Sequence, residues 1–179
     1  MIGSRMRLAA LAAAAVALQP IAAQAQQACI TEDEVSAVAI YSVPSLLQGM
    51  RLKCAGELAS TGFLARRGDE LAARYTRLQP AVWPRAKSGL LKYGASWSKS
   101  GKLDVSTVAS LPDDAVRPLV DALIVQEASA RISTSQCGRI ERAMEAAALI
   151  DPEIAGTVIG AAAGLLAPEN TPICERRVL

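Results

Sequence analysis

The sequence predicts an all-α protein: a small bundle of about seven or eight short helices stapled by two disulfides. Three observations carry this. Apolar residues recur at helical spacing in segment after segment, and no period-two stretch beyond the short Ile173 to Leu179 tail reads as a strand. Caps and prolines divide the chain at intervals suited to short helices. Four cysteines, Cys29, Cys54, Cys137 and Cys174, form an even set without a C-x-x-C pair, the pattern of a disulfide framework rather than a redox or zinc motif.

Residues 1–25 read as an export signal. Arg5 and Arg7 precede an apolar run from Leu8 to Leu18, Pro20 breaks it, and Ala23-Gln24-Ala25 offers a small-x-small cleavage site. As a helix that run would reach about 16 Å, against about 30 Å for a bilayer core, so it is not read as a membrane span. The expected working chain is a single helical domain over 26–179, periplasmic or secreted and not an integral membrane protein.

Thr31 and Glu34 form a T-x-x-E capping box that opens a first helix near residue 32. Pro44 is expected to end it, because the residue before a proline avoids the helical region. A second helix then runs over about 45–60 with Leu47, Met50, Cys54 and Leu58 on one face, and Gly62-Phe63 reads as its stop. Folded back antiparallel, these helices would bring Cys29 and Cys54 to one end, which favours that disulfide.

Asp69 is a candidate cap for a helix carrying Leu71, Tyr75 and Leu78, stopped near Pro80; Trp83-Pro84 reads as a break. Ala86, Leu90, Tyr93 and Trp97 make the next stripe. Ser98-Lys99-Ser100-Gly101-Lys102 reads as a linker between possible subdomains 26–98 and 103–179. Beyond it, Asp104 can start a short helix to about Ser110. Pro112-Asp113-Asp114 opens a longer one to about Ile132, with Val116, Leu119, Val120, Leu123 and Ile124 as its apolar stripe. Thr134 caps a helix bearing Ile140, Met144, Ala147 and Leu149, and Asp151-Pro152-Glu153 starts the last, which ends at Pro168. The last two helices are expected to form a tight hairpin, which favours Cys137–Cys174.

The chain has 179 residues, 51% hydrophobic but 3% aromatic, and no histidine. The missing histidine excludes Ser-His-Asp and Cys-His catalysis and His-ligated metals. Without Arg5 and Arg7, acidic and basic residues balance, so no global steering of anions is expected. Acidic pairs such as Asp113-Asp114 fall at helix starts, where capping explains them. Ser96-Trp97-Ser98-Lys99 has the S-x-x-K spacing of serine acyl-transfer enzymes, but the chain is too short for their fold. No catalytic residue, metal site or cofactor is read.

Two further features stand out. Gly156, Gly160 and Gly164, four apart, would let two helices approach closely; the preceding helix is the expected partner, and a membrane helix or oligomer interface is the alternative. Residues 66–102 hold nine basic residues against Asp69 and Glu70, together with four of the six aromatics. Arg74, Arg77, Arg85, Lys87, Lys92, Lys99, Lys102 and Trp83 are the candidate contacts there for an anionic lipid or glycan surface; the bland alternative is a solvated cationic face over a core stripe. No nucleic-acid reader motif is present.

In architecture alone, the outline is similar to small exported helical proteins with paired disulfides, such as periplasmic acid chaperones and immunity proteins against toxins. The expected function is a non-catalytic periplasmic binding or accessory protein. The alternatives are a peripheral binder of an anionic envelope surface, an immunity or inhibitor-type protein, and, least favoured, a small His-free hydrolase.

Overall fold

A threonine and a glutamate three residues apart start the helix on which four others pack. Thr31 Oγ1 accepts from the Glu34 amide at 3.2 Å, and Glu34 Oε2 accepts from the Thr31 amide at 2.8 Å. The computed structural model describes residues 29–97, 105–167 and 171–174. Helix α1 spans Glu32–Cys54; α2 is Phe63–Thr76, α3 Gln79–Trp97, α4 Val105–Ser110, α5 Asp113–Arg131, α6 Cys137–Ala147 and α7 Pro152–Leu166. The fold is all-α. Helices α2, α3, α5 and α7 all pack on α1. The expected Ser98 to Lys102 linker, the expected helix start at Asp104 and the expected export signal over residues 1–25 lie outside the described residues.

Pro44 does not end α1; it sits inside one continuous helix of 23 residues. A proline there costs about 3 kcal/mol. Against that, α1 buries Ile40, Tyr41, Leu47 and Met50, each worth roughly 1.5–3 kcal/mol. In the turn that Pro44 weakens, Gln79 Nε2 donates to Tyr41 O at 2.9 Å. Pro84 likewise lies inside α3 rather than breaking it.

The continuous α1 overturns the favoured disulfide pairing. Cys29 and Cys54 stand at opposite ends of a rod about 35 Å long, whereas a disulfide needs Cα atoms within about 7 Å. The bonds are Cys29–Cys174, with Cα atoms 5.0 Å apart, and Cys54–Cys137, at 5.8 Å. The first is reinforced by a parallel bridge of Ile30 with Ile173. There the Ile30 amide donates to Pro172 O at 2.6 Å and the Cys174 amide to Ile30 O at 2.9 Å.

Three other boundaries differ from expectation. Gly62 is the N-cap of α2, not the stop of a preceding helix; the Glu141 carboxylate of α6 accepts from the Leu64 amide at 3.0 Å and supplies that cap from a distance. Asp69 lies within α2, exposed, and pairs with Arg51 at 2.5 Å. Ser133, not Thr134, forms the capping box before α6, with Gln136, across a short 3₁₀ turn.

The core runs from Ala37 to Ala148 and centres on Trp83, Tyr41, Leu47, Met50 and Val116. The Tyr41 and Trp83 rings stand 4.9 Å apart, and the Arg117 guanidinium lies 4.9 Å from the Trp83 ring. Of the α5 stripe, Val116 is buried and Val120 and Ile124 are half-buried, while Leu119 and Leu123 face outward.

The C-terminal helices do not form the expected hairpin. Between the Thr134–Ala147 and Pro152–Leu166 stretches the chain turns by 114°. Helix α7 leaves α6 and lies along the N-terminal half of α1 instead. Asp151 Oδ1 caps it, accepting from the Glu153 and Ile154 amides at 2.9 and 3.3 Å. Among the described residues, no single helix is long and apolar enough to cross a membrane.

Candidate interaction surface

Helix α7 buries Pro152, Gly156, Gly160 and Gly164 against α1. A Cβ at Gly156 would meet Ile40 Cδ1 at 2.6 Å, one at Gly160 would collide with the Glu32 carbonyl, and one at Gly164 with the Glu32 carboxylate. The two backbones therefore touch where side chains would otherwise separate them. The partner of the glycine row is α1, not α6.

That contact leaves the large apolar side chains of α7 outside. Ile154, Val158, Leu165 and Leu166 are 59–78% exposed, and Ile159 is about half exposed. Leu149 and Ile150, just before the helix, extend the patch. Glu153 is the one charged residue in Pro152–Leu166. An ordinary surface helix points its large apolar residues at the core and its charges at water. Helix α7 does the reverse, with small residues inside and branched ones outside. The patch exceeds the scattered exposed leucines normal on a monomer.

The basic segment is distributed differently. Arg74 donates to Ala148 O at 2.6 Å and Ile150 O at 3.0 Å, satisfying carbonyls beyond the end of α6. Lys87 pairs with Asp113 at 2.9 Å; that hydrogen bond holds the Asp113 carboxyl below its ordinary value. Lys92 reaches both Glu34 oxygens at 2.8 Å and Cys29 O at 3.1 Å. Trp83 is buried in the core. Arg77 and Arg85 are exposed. Lys99 and Lys102 lie outside the described residues.

Glu34 gathers a dense set of polar contacts. Besides Lys92 and the Thr31 amide, Ser88 Oγ donates to it at 2.6 Å. Burial pushes its pKa up, but the bonds from Lys92, Ser88 and Thr31 outweigh that, and the carboxyl lies below its ordinary value. The cluster ties α3 to the start of α1 and to the backbone of the Cys29 disulfide. It occupies the Ser88 hydroxyl and the Lys92 ammonium in structure. The S-x-x-K run begins with Ser96, whose side chain lies outside the described residues. No group of three or more Cys, Asp or Glu among the described residues is placed to hold a metal ion. The shallow cleft lined by Phe63, Arg67, Glu70, Leu71, Arg74 and Ala148 encloses no room even for a water molecule, whereas ligand pockets typically hold roughly 300–1,000 Å³.

Comparison with family models, with characterised proteins and with solved structures finds no match to this chain.

The exposed row on α7 was within reach of the sequence. At 100° per residue, Ile154, Val158 and Leu165 stand on the side of the helix away from Gly156, Gly160 and Gly164. Once the glycines face inward, those residues must face outward. The expected hairpin sets α6 against the glycine row and leaves the opposite side of α7 without a partner, a consequence that reading the glycines alone does not bring out.

Proposed function

We propose that this chain is a non-catalytic binding or accessory protein of the periplasm, and that the outer face of α7 is its docking element. The observation that supports this is the inverted helix, glycines against α1 and Ile154, Val158, Leu165 and Leu166 in water. Contiguous exposed apolar surface of this size on one chain characterises interaction sites. Residues 1–25 act as the export signal, and the two disulfides suit the oxidising compartment it leads to. The partner is a protein rather than an anionic surface: α7 carries no basic residue, and Arg74, Lys87 and Lys92 of the basic segment are already engaged within the fold.

The test is photo-cross-linking in living cells. A photoreactive residue replaces Val158 in the full-length chain, and a control replaces Gln126, exposed on α5. A discrete polypeptide adduct from position 158, with none from 126, is the expected result. No polypeptide adduct at 158, or the same weak smear from both positions, overturns the reading.

A further inference from the structure

We infer that the partner seated on the outer face of α7 is a second copy of this chain, with the two α7 helices packed antiparallel about a two-fold axis; this rests on α7 being the docking face proposed above. Three features of the face point to a copy of itself.

The first is area. Leu149, Ile150, Ile154, Val158, Ile159, Leu165 and Leu166 are each 45–82% exposed, apolar surface of the order of the approximately 800 Å² each partner contributes to a standard interface. The second is charge. A two-fold contact sets a surface against itself, so any strong charge at its centre would meet its like. Between Ile154 and Leu166 there is none, and residues 26–179 are balanced in acid and base, so two copies do not repel. Antiparallel packing also sets the positive end of each helix dipole beside the negative end of the other.

The third is relief. Val158 and Ala162 lie near the middle of the outward face, a large and a small residue one turn apart. An antiparallel crossing centred between them seats each Val158 over the partner's Ala162 and brings Ile154 of one copy to Leu166 of the other. Large residues meet small ones at the centre and branched ones meet at the rim, as helix packing requires.

The experiment uses protein exported from cells expressing the full-length chain, disulfides intact, measured by size-exclusion chromatography with light scattering over a dilution series. Two chain masses at tens of micromolar, dissociating on dilution, is the expected result. Val158→Asp buries a carboxylate from each copy and should weaken association on the order of 100-fold or more. Val158→Ile should leave it intact. Circular dichroism of both variants should match the parent, since Val158 is exposed in the single chain. A strictly monomeric parent at these concentrations overturns the inference, and so does a dimer indifferent to Val158→Asp. The cross-linking above separates the two readings. An adduct at twice the chain mass supports both. An adduct with a different polypeptide keeps the docking face and overturns the second copy, and no polypeptide adduct overturns both.

Discussion

Substituting alanine for glycine at two helical positions should move stability in opposite directions. Gly138 stands in the first turn of α6 with open space where a Cβ would go. Alanine there removes backbone freedom from the unfolded chain and meets nothing, for a gain of roughly 0.5 kcal/mol. At Gly160 the same propensity gain is available, up to about 1 kcal/mol. The new methyl, however, points at the Glu32 carbonyl, a backbone atom that cannot rotate away, with Ser36 Cβ 3.2 Å from the same point. Helix α7 must back off α1 by something near 1 Å, and gaps of that order forfeit a quarter to a half of each van der Waals contact they open. Overpacking of this kind costs about 1–3 kcal/mol, which leaves Gly160→Ala destabilised by about 1–2 kcal/mol. The two variants should differ by about 2 kcal/mol, which is roughly 4–8 °C in Tm for a chain of this size. Thermal and urea denaturation of the disulfide-intact chain read this directly. If Gly160→Ala matched or exceeded the parent while Gly138→Ala behaved as expected, the claim that the glycine row sets the α1–α7 distance would be refuted.

Glu34 makes stability depend on acid. Its folded pKa lies below the ordinary 4.5, so its contribution is complete above that value and is lost as pH falls through the lower folded value. Below about pH 4.5 the parent should therefore lose stability that Glu34→Gln does not lose, seen as converging Tm curves; parallel curves would contradict the account. Lys92→Met leaves the buried Glu34 carboxylate without its cation and should cost about 2–3 kcal/mol at pH 7 by urea titration, whereas an unchanged midpoint would mean the pair is idle. Each disulfide closes a long loop, and its loss should cost about 4–5 kcal/mol in the chain-entropy model. Cys174→Ser should free the thiol of Cys29 and leave Cys54–Cys137 oxidised by non-reducing peptide mapping; a freed Cys137 would restore the local pairing.

What the sequence made legible were features settled within a few residues. The Thr31–Glu34 box and the Asp151-Pro152-Glu153 start are contests between a side chain and the nearest orphan amides, and distant residues hardly enter them. Pro44 is a different kind of question. Its local cost is visible in the sequence, but the burial that outweighs it comes from α2, α3, α5 and α7, the last of them more than a hundred residues away. Ending α1 at Pro44 gives the N-terminal hairpin and with it Cys29–Cys54, while Cys137–Cys174 comes separately, from the expected hairpin of the last two helices. Arg74, Lys87 and Lys92 show the same limit: each looks like a charge for solvent until Ala148, Asp113 or Glu34 is folded beside it. The α7 face was half legible. The glycine spacing is plain in the sequence, while the identity of the helix it meets depended on whether the chain doubled back after Leu149.

The Cys29–Cys174 bond also sets an order of events. Synthesis delivers Cys29 first and Cys174 last, with Cys54 and Cys137 between them. The first thiol to appear must stay open, or be released again, until nearly the whole chain has followed it, while the nearest thiol in sequence is the wrong one. A premature link between Cys29 and Cys54 would clamp together the two ends of α1. The capping box that starts α1 immediately after Cys29 thus has a second use: as soon as that helix is continuous, it holds the two sulfurs about 35 Å apart. Any mispaired chain is left to thiol–disulfide exchange, a matter of seconds to hours.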